Sequence, residues 1–424
     1  MGSPSDRTVS AIERRRYNRR MDMLDIAYRE ACQVLHACID QMGIKASALA
    51  SGYPQIWARD SMITLLGAIL LDDVEIRAAL RRSLETLSDH QAESGCIPSN
   101  VVIKDRRTDF RAYMDGNAWY LIGHHLYFEA TQDEAFLERH WPHIRRTCEW
   151  LLAQDVYHSG LLAMQEGADW MDHLAVRGRG LYANAVSCRG LAVAAGLAAR
   201  FDPEAAQRYA HTSEEIRATV RKLLWVDVDR ELQKSDLLNE EYDILAGYKH
   251  SLVRERPYFL PYVGFRTLGH WFDSLGNLLT ILFDIADQRQ ASLILDYIDE
   301  VGVHSPYPVK ALYPVILPGD RDWRDYYLNR NLNIPNHYHN GGIWPFIGGF
   351  YVAALIKAGR REAAERELVR LAEANRQGKT QEWEFNEWLH GETGRPMGRE
   401  LQAWSAGMYI YALESMRCGQ PLHF

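Results

Sequence analysis

Apolar residues recur every three or four positions along most of this chain, which is the spacing expected of helices with one buried face. Runs in which apolar and polar residues alternate, as they do in strands, are weak by comparison. The periodicity predicts about twelve helices, near residues 10–42, 60–72, 74–91, 115–130, 133–154, 183–200, 203–223, 271–286, 287–300, 341–358, 360–376 and 400–416. The sequence therefore predicts an all-α protein.

The predicted helices are of two kinds. Some are apolar on nearly all sides, as a helix buried on both faces must be; they include those near 60–72, 183–200, 271–286, 341–358 and 400–416. Their neighbours, such as the helix near 203–223, carry Glu and Arg on one face and Ala and Leu on the other. An alternation of six buried with six amphipathic helices predicts an (α/α)6 barrel, in which an outer ring of helices shields an inner ring.

The inner helices of such a barrel run in the same direction, so the loops that precede them meet at one mouth. We expect Trp57, Trp119 and Trp344 to line a pocket there, surrounded by the helix starts near 60, 115, 183, 271, 341 and 400. Two long non-helical stretches, near 225–268 and 303–338, are expected to form walls or a lid. No segment has linker composition, so residues 1–424 are expected to form a single catalytic domain, with the helix near 10–42 on its outside.

Composition narrows the range of partners. A net charge of −8 argues against nucleic acid or an anionic membrane as the ligand. The six cysteines are scattered without CxxC spacing, and neither a signal-like N-terminal segment nor a run of about 18 apolar residues is evident, so we expect a cytoplasmic protein. We expect a small carbohydrate as the partner and no cofactor, and the sequence leaves a homo-oligomer open.

Five short clusters, each beside a predicted helix, mix aromatic rings with amide, imidazole and carboxyl groups. They are Trp57-Ala58-Arg59-Asp60, Asp115-Gly116-Asn117-Ala118-Trp119-Tyr120, Glu166-Gly167-Ala168-Asp169-Trp170-Met171-Asp172, Asn336-His337-Tyr338-His339-Asn340-Gly341-Gly342-Ile343-Trp344-Pro345 and Glu384-Phe385-Asn386-Glu387-Trp388. Amides and imidazoles form hydrogen bonds with hydroxyl groups in both directions, and aromatic faces cover the C–H groups of sugars. The clusters predict a carbohydrate site built from many loops.

Hydrolysis of a glycosidic bond requires two carboxyl groups on opposite sides of the anomeric carbon. Asp172 follows Trp170 and Met171, an apolar environment that favours a raised carboxyl pKa. The second carboxyl group would come from Glu382, Glu384 or Glu387, which alternate with aromatic residues. For any one of these three glutamates, a surface charge or a helix cap is an equally good explanation.

Several of these side chains have a competing explanation. Asp60 and Asp115 each begin an apolar helix, so each is either a helix cap or a sugar ligand, and Arg59 would hold Asp60 in place. His337 and His339 have the spacing of zinc ligands, but no acidic or cysteine partner stands at a typical distance in sequence, so we expect no metal.

Two other functions compete with hydrolysis. A sugar epimerase or aldose–ketose isomerase would use paired histidines to move a proton beside a carbonyl, and His270, His337 and His339 could serve in that role. A sugar-binding protein without catalysis is the third hypothesis. The two carboxylate clusters favour the hydrolase over both.

From about residue 50 to residue 415, the motifs in order resemble those of the neutral/alkaline invertase family, which are six-hairpin glycosidases. The most specific match is Tyr338-His339-Asn340-Gly341-Gly342-Ile343-Trp344-Pro345. Other similar segments are Ala58-Arg59-Asp60, Gly95-Cys96-Ile97-Pro98-Ser99, Asp115-Gly116-Asn117-Ala118-Trp119, Phe272-Asp273-Ser274-Leu275-Gly276-Asn277-Leu278 and Gln402-Ala403-Trp404-Ser405-Ala406-Gly407.

The resemblance implies that Asp172 is the general acid and Glu387 the general base of an inverting hydrolase, with a small α-glucoside, sucrose first, as the substrate. With the motifs above, it gives the expected sugar-binding residues: Trp57, Arg59, Asp60, Asp115, Trp119, Asp169, Tyr338, His339, Asn340, Trp344, Glu384, Gln402 and Trp404. Glu384 is the alternative base.

The chain also departs from the family pattern. The segment around Glu387 lacks the Pro and the Tyr pair of the family, and Leu181-Tyr182-Ala183-Asn184 stands where the family has a different element, so we expect these positions to shape the leaving-group side. Trp170-Met171-Asp172 also resembles the glucosidase domain of glycogen-debranching enzymes. A debranching-type α-glucosidase, or a hydrolase of a glucosylated compatible solute, is therefore the alternative.

Overall fold

The computed structural model describes residues 11–111, 113–226, 256–264 and 267–424, with side chains described from residue 22 onward. This part of the chain contains twelve α-helices: α1 Ala11–Cys38, α2 Ala58–Ala68, α3 Val74–Asp89, α4 Met114–Thr131, α5 Glu134–Leu152, α6 Leu181–Ala198, α7 Pro203–Leu223, α8 Ser274–Leu282, α9 Gln288–Val301, α10 Pro345–Lys357, α11 Arg361–Arg376 and α12 Ala403–Cys418. Each of them lies where the apolar periodicity predicts a helix.

The even-numbered helices form an inner ring. Each packs on the next even-numbered helix, and α12 packs on α2, so the ring is closed. The odd-numbered helices lie outside it; α7 packs on α6, for example, and α1 packs on α11 and α12. One continuous hydrophobic core draws side chains from all twelve helices. The prediction of an all-α (α/α)6 barrel is confirmed.

The composition of each helix explains its place in the barrel. The 18 residues of α6 have a mean hydropathy of 1.2, yet 83% of them are buried within the protein, as an inner helix requires. The outer helix α3 is amphipathic and is capped at its N-terminus by Asp73, whose carboxylate accepts hydrogen bonds from the amides of Glu75 and Ile76. Where α2 meets α12, a Cβ on Gly67 would collide with the carbonyl oxygen of Gly407, so this close contact requires glycine.

Short strands lie at the N-terminal ends of the inner helices. They are β1 Ile39–Asp40, β2 Gly43–Ile44, β3 Ile56–Trp57, β4 Asn100–Val101, β5 Thr108–Asp109, β6 Arg179–Gly180, β7 Tyr262–Gly264, β8 Thr267–Leu268, β9 Phe272–Asp273, β10 Leu312–Tyr313, β11 Trp388–Leu389 and β12 Pro396–Met397. All pairs are antiparallel: β1 with β2, β3 with β4 and β4 with β5, β6 with β7 and β7 with β8, β9 with β10, and β11 with β12. Strands β3, β6 and β9 run directly into α2, α6 and α8, and so fix the loops at the mouth of the barrel.

Candidate active site

Two connected cavities open at the mouth of the barrel. The inner chamber has a volume of about 390 Å³ and the outer chamber about 750 Å³. Five residues line both of them: Tyr53, Asp172, His173, Tyr338 and Glu387. The two carboxyl groups that the sequence pairs for catalysis therefore lie at the boundary between the chambers.

The inner chamber gathers side chains from loops that are far apart in sequence. Ten of the residues expected at the site line it: Trp57, Arg59, Asp60, Asp172, Tyr338, His339, Trp344, Glu387, Gln402 and Trp404. They come from the segments that precede or begin α2, α6, α10 and α12. Because the inner helices point their N-termini at the same mouth, these segments meet although the chain separates them by hundreds of residues.

Aromatic rings form a rigid floor in this chamber. His339 stacks on Trp344 with a centroid distance of 5.2 Å, and Trp170 meets Trp344 edge-on at 5.4 Å. Trp404 stacks on Phe346 at 4.2 Å. Rings held in this way present fixed apolar faces, which suits the C–H face of a pyranose.

Several polar atoms on the floor have no hydrogen-bond partner within the described protein. They are Nε2 and Oε1 of Gln402, Nε1 of Trp404, Nε1 of Trp170 and Nδ1 of His339, and all four side chains are at least nine-tenths buried. Buried polar groups normally find a partner, since leaving one unpaired costs free energy. All four residues line the inner chamber, which makes these unpaired atoms candidate partners for the hydroxyl groups of a ligand.

A buried ion pair supports the chamber from behind. Nη1 of Arg59 donates to Oδ2 of Asp115 over 2.9 Å, and the Tyr182 hydroxyl donates to the same oxygen over 3.1 Å. Nε of Arg59 lies 3.9 Å from Oδ2 of Asp60. Burial raises the pKa of Asp60 to about 6, although Arg59 lowers it. Asp115 thus fixes Arg59, and Arg59 in turn faces the carboxyl group of Asp60 in the chamber.

The first carboxyl group at the boundary, that of Asp172, is oriented by three neighbours. The Tyr113 hydroxyl donates to its Oδ2 over 2.7 Å, and Nη1 of Arg111 lies 3.5 Å from the same oxygen. Nε2 of His173 lies 3.8 Å from Oδ1. Arg111 itself sits over the ring of Trp57, 5.4 Å from its centroid.

The second carboxyl group, that of Glu387, is more deeply buried. Its Oε1 accepts the Tyr53 hydroxyl over 3.1 Å and its Oε2 accepts the amide of Arg399 over 3.0 Å. Burial raises the pKa of Glu387 to about 7, while these two hydrogen bonds lower it and the carboxylates of Asp60 and Asp172 raise it. The side chain is therefore poised to gain and lose a proton near neutral pH.

Comparison with known proteins identifies the family. A family model described as alkaline and neutral invertase matches residues 50–417. The chain belongs to the alkaline and neutral invertase family. The family resemblance drawn from the sequence motifs is thereby confirmed.

Curated relatives agree with this membership. Neutral/alkaline invertase 1, mitochondrial, from Oryza sativa subsp. japonica is 30% identical over 217 residues, which are 47% of this chain and 33% of that protein. Probable alkaline/neutral invertase F from Arabidopsis thaliana is 26% identical over 348 residues, which are 74% of this chain and 65% of that protein. The chain thus spans one third to two thirds of the length of these relatives.

Solved structures share the fold. Mannosylglycerate hydrolase from Thermus thermophilus superimposes with a TM-score of 0.66 at 15% identity, covering 91% of this chain and 99% of that one. A bacterial glucoamylase complexed with acarbose gives a TM-score of 0.64 at 15% identity, covering 93% of this chain and 56% of that one. Both likenesses concern the barrel.

Five residues that were expected to bind sugar do not line either chamber: Asp115, Trp119, Asp169, Asn340 and Glu384. Trp119 lies in the core, where its indole donates to the Tyr182 hydroxyl over 2.8 Å. Asp115 lies behind Arg59, as described above. The expectation that Trp119 lines the pocket is wrong, because its side chain is fully buried and packs against Tyr182 and Phe350 of other inner helices.

Asp169 and Asn340 are also buried behind the chamber surface. Oδ1 of Asp169 accepts the amide of Met171 over 2.8 Å, and burial raises the pKa of Asp169 well above its usual range. The side-chain oxygen of Asn340 accepts a hydrogen bond from the amide of Ile316, and its side-chain nitrogen donates to the carbonyls of Ile316 and Asn333. The side chain therefore joins two loops. Neither side chain lines a chamber, so both support the cavity wall from behind.

Glu384 has a structural role in place of the predicted one. Its carboxylate accepts the amides of Lys379, Thr380 and Gln381 and the hydroxyl of Thr380, over 2.7–3.1 Å. Burial raises the pKa of Glu384, but these hydrogen bonds outweigh it and the pKa is lowered. Glu384 therefore holds the 379–381 turn, and Glu387 is the glutamate that reaches the cavity.

Other residues at the site were not identified from the sequence. Tyr53, Arg111, Tyr113 and His173 touch the two catalytic candidates. Position next to a motif could have indicated Tyr113, which precedes Met114 and Asp115, and His173, which follows Asp172. Nothing local indicates Tyr53, because it reaches Glu387 from the opposite end of the chain.

The loop predictions have mixed outcomes. Residues Tyr326, Asn329, Arg330, Leu332 and Asn333 line the outer chamber, so part of the 303–338 stretch does form a wall. In the 225–268 stretch, residues 227–255 and 265–266 lie outside the described part.

The segment 181–184 is fully buried at the start of α6 and lines neither chamber, which contradicts the expected leaving-group role. Among the described residues, no three His, Cys, Asp or Glu are grouped as metal ligands.

Proposed function

We propose that this protein is a glycoside hydrolase that cleaves a small α-glucoside with inversion at the anomeric carbon, with sucrose as the first candidate substrate. The observation that carries the proposal is the position of Asp172 and Glu387 at the boundary between two chambers. A bond held across that boundary would have one carboxyl group for its leaving oxygen and another for water.

The inner chamber would hold the glucosyl unit. Its C–H face would lie on the aromatic floor, and its hydroxyls would bind the unpaired atoms of Gln402, Trp404 and His339. Asp60 would accept a further hydroxyl while Arg59 fixes its orientation. These contacts would bring the anomeric carbon to the boundary, with the leaving group in the outer chamber.

In the reaction, protonated Asp172 would give its proton to the glycosidic oxygen as the bond between that oxygen and the anomeric carbon breaks. Water would attack the anomeric carbon from the opposite face and give a proton to Glu387. The products from sucrose would be β-glucose and fructose. A base must be ionised to act, and a pKa of about 7 lets Glu387 accept a proton at neutral to alkaline pH.

The shape of the site supports a short substrate. The floor of Trp170, Trp344 and Trp404 ends the inner chamber, so only a terminal sugar unit would enter it. Residues 326–333 wall the outer chamber. A disaccharide would fit this arrangement better than a branched polymer, and we expect negligible activity on glycogen.

The test is to incubate the protein with sucrose, isomaltose and a limit dextrin, and to follow glucose release and its anomeric form by NMR. We expect glucose from a disaccharide, with the β-anomer appearing before mutarotation. Initial release of the α-anomer would contradict inversion. Faster hydrolysis of the dextrin than of either disaccharide would favour the debranching-type alternative, and Asp172→Asn serves as the inactive control.

A further inference from the structure

The outer chamber carries positive charge that the hydrolysis of a neutral disaccharide does not require. Arg330 and Arg399 both line it, and both are exposed. Within the described residues neither guanidinium has an acidic partner within 4.0 Å or a hydrogen bond from its side chain. Two unpaired arginines therefore face one cavity from different loops, one from residues 325–331 and one from the segment after β12.

Nearby arginines of the same region behave differently. Nε and Nη2 of Arg324 form a two-point contact with Glu166 at 3.1 and 2.9 Å, and Arg177 lies 3.6 Å from the same carboxylate. The Tyr326 hydroxyl also donates to Glu166 over 2.9 Å. Glu166 lines the outer chamber, but its charge is already matched, so it is not available to neutralise Arg330 or Arg399.

The backbone of Arg330 has an unusual conformation. Arg330 has φ 56° and ψ 19°, and Asn331 follows with φ 54°. Residues other than glycine seldom adopt this left-handed region, since it costs conformational free energy, and such residues are concentrated at functional sites. The conformation occurs where the short helical segment 325–331 turns along the wall of the chamber.

The chemistry of guanidinium groups indicates which ligand would use them. Arginine offers only donors, in a planar fork that matches the paired oxygens of a carboxylate or phosphate. A neutral fructosyl unit offers hydroxyls that both donate and accept, and it does not need two such forks. The other carboxyl groups that line the chamber, Asp172 and Glu387, are the two proposed for catalysis, and neither lies within 4.0 Å of the guanidinium group of Arg330 or Arg399.

We propose that the outer chamber binds an anionic group through Arg330 and Arg399, and that the preferred substrate is an α-glucoside whose leaving group carries a carboxylate or a phosphate. This inference rests on the proposed hydrolysis and names its substrate class. The anion would lie against the arginines in the outer chamber while the glucosyl unit occupies the inner chamber, with the scissile bond at the boundary between the two chambers.

The experiment compares matched substrates that differ in one charged group. α-Glucosylglycerate and α-glucosylglycerol differ by a carboxylate, while sucrose phosphorylated on its fructosyl unit and sucrose differ by a phosphate. We expect kcat/KM to be at least about tenfold higher for the charged member of one pair or both, as expected for a charge-assisted hydrogen bond. The pair that shows the preference identifies the anion as carboxylate or phosphate.

Variants connect the preference to the two arginines. Arg330→Gln and Arg399→Gln should each reduce the charged-to-neutral ratio of kcat/KM by about tenfold. Arg395→Gln is the matched control, because Arg395 is also exposed and near the site but does not line either chamber. Thermal melting by circular dichroism checks that all three variants are folded. Equal losses of the ratio in all three would overturn the proposal.

Two outcomes separate this inference from the function on which it rests. If the neutral substrates are hydrolysed without any preference for their charged partners, the anion site is refuted and the proposed hydrolysis stands. If no substrate releases glucose, the hydrolysis fails, and the anion site is then tested by calorimetric titration with glycerate and inorganic phosphate. Saturable binding that Arg330→Gln and Arg399→Gln abolish would support it, and its absence in the unmodified protein would overturn it.

Discussion

The Tyr53 hydroxyl donates a hydrogen bond of 3.1 Å to Oε1 of Glu387, across 334 positions of the chain. Tyr53 lies before β3 near the N-terminal side of the ring, and Glu387 lies before β11. This contact lowers the pKa of Glu387, against the burial that raises it to about 7. The proton affinity of the proposed base therefore depends on a residue that is distant in sequence and adjacent in the fold.

Replacing this tyrosine should change the pH profile in a defined direction. In Tyr53→Phe, the hydrogen bond to ionised Glu387 is lost, so the pKa of Glu387 should rise further, by about one pH unit. Since a base works only when ionised, kcat/KM falls as the pH decreases through this pKa, and the acidic limb should move upward. The measurement is kcat/KM against pH with a disaccharide substrate.

Tyr351→Phe is the control for this variant. The Tyr351 hydroxyl also donates to a carboxylate, Oδ1 of Asp299 at 3.2 Å, but neither residue lines either chamber. It should leave the acidic limb where it is. A limb that stays in place in Tyr53→Phe, or moves to lower pH, would remove Glu387 from the role of base.

Substitution of either catalytic carboxyl group should reduce activity and leave the protein folded. Asp172→Asn and Glu387→Gln should each reduce kcat by several orders of magnitude, since neither carboxyl group can replace the other. Glu387→Gln should also be the more stable protein above pH 7, relative to the unmodified chain. Because the pKa of this carboxyl group is higher in the folded state, the unmodified protein becomes less stable as the pH rises from 4.5 to about 7. The amide of the variant does not titrate, so the variant avoids this loss.

Turnover and thermal melting at pH 5 and pH 8 check these outcomes. The stability difference between Glu387→Gln and the unmodified protein should be larger at pH 8. Turnover in Glu387→Gln within tenfold of the unmodified protein would show that another group activates water.

We expect the Gln402 side chain to favour substrate binding and to lower the stability of the unliganded protein. Both polar atoms of its buried amide lack a partner in the part of the chain that the structure describes, so Gln402→Met should keep or raise the stability of the unliganded protein while KM increases by about tenfold or more. Asn277→Leu is the comparison, since its amide accepts from the Phe259 amide and donates to the carbonyls of Phe259 and Asp273. That change should lower the free energy of unfolding by about 1–3 kcal/mol. Urea denaturation together with steady-state kinetics makes both comparisons, and an unchanged KM in Gln402→Met would refute the sugar contact.

Glu384 should be a stabilising residue. Glu384→Gln loses charge-assisted bonds to the 379–381 turn and should lower the free energy of unfolding by about 1–3 kcal/mol at pH 7, with kcat within a few-fold of the unmodified value. Because the folded state lowers the pKa of Glu384, its contribution is present above the ordinary value of 4.5 and is lost as the pH falls below it. Urea denaturation at pH 7 and pH 3.5 tests this. A drop in kcat comparable to that of Glu387→Gln would instead assign the base to Glu384.

The barrel could be predicted from the sequence because the pattern of apolar residues in each helix indicates how many of its sides are buried. An inner helix such as α6 is apolar on every side, and an outer helix such as α3 is not, so the alternation of the two is visible without tertiary information. The motifs likewise marked the loops that reach the mouth, since they stand directly before the inner helices.

The detailed site could not be predicted in the same way. Asp60 is the third residue of α2 and Asp115 the second residue of α4, yet one lines the chamber and the other lies behind Arg59. Successive residues of a helix point in directions about 100° apart. Whether an aspartate near a helix start faces the chamber or the core therefore depends on its position and on the rotation of its helix in the ring. Tyr53 was missed for a related reason, since its partner is defined only by closure of the ring.

The contact between α2 and α12 can form only after both helices have been synthesised. Gly67 and Gly407 let these two helices approach closely, although most of the chain separates them in sequence. Until α12 has emerged, α2 has an exposed apolar side and Tyr53 has no Glu387 to bind. Ring closure and the completed site thus depend on segments that are far apart in sequence, a kind of contact that forms slowly and leaves apolar surface exposed until it has formed.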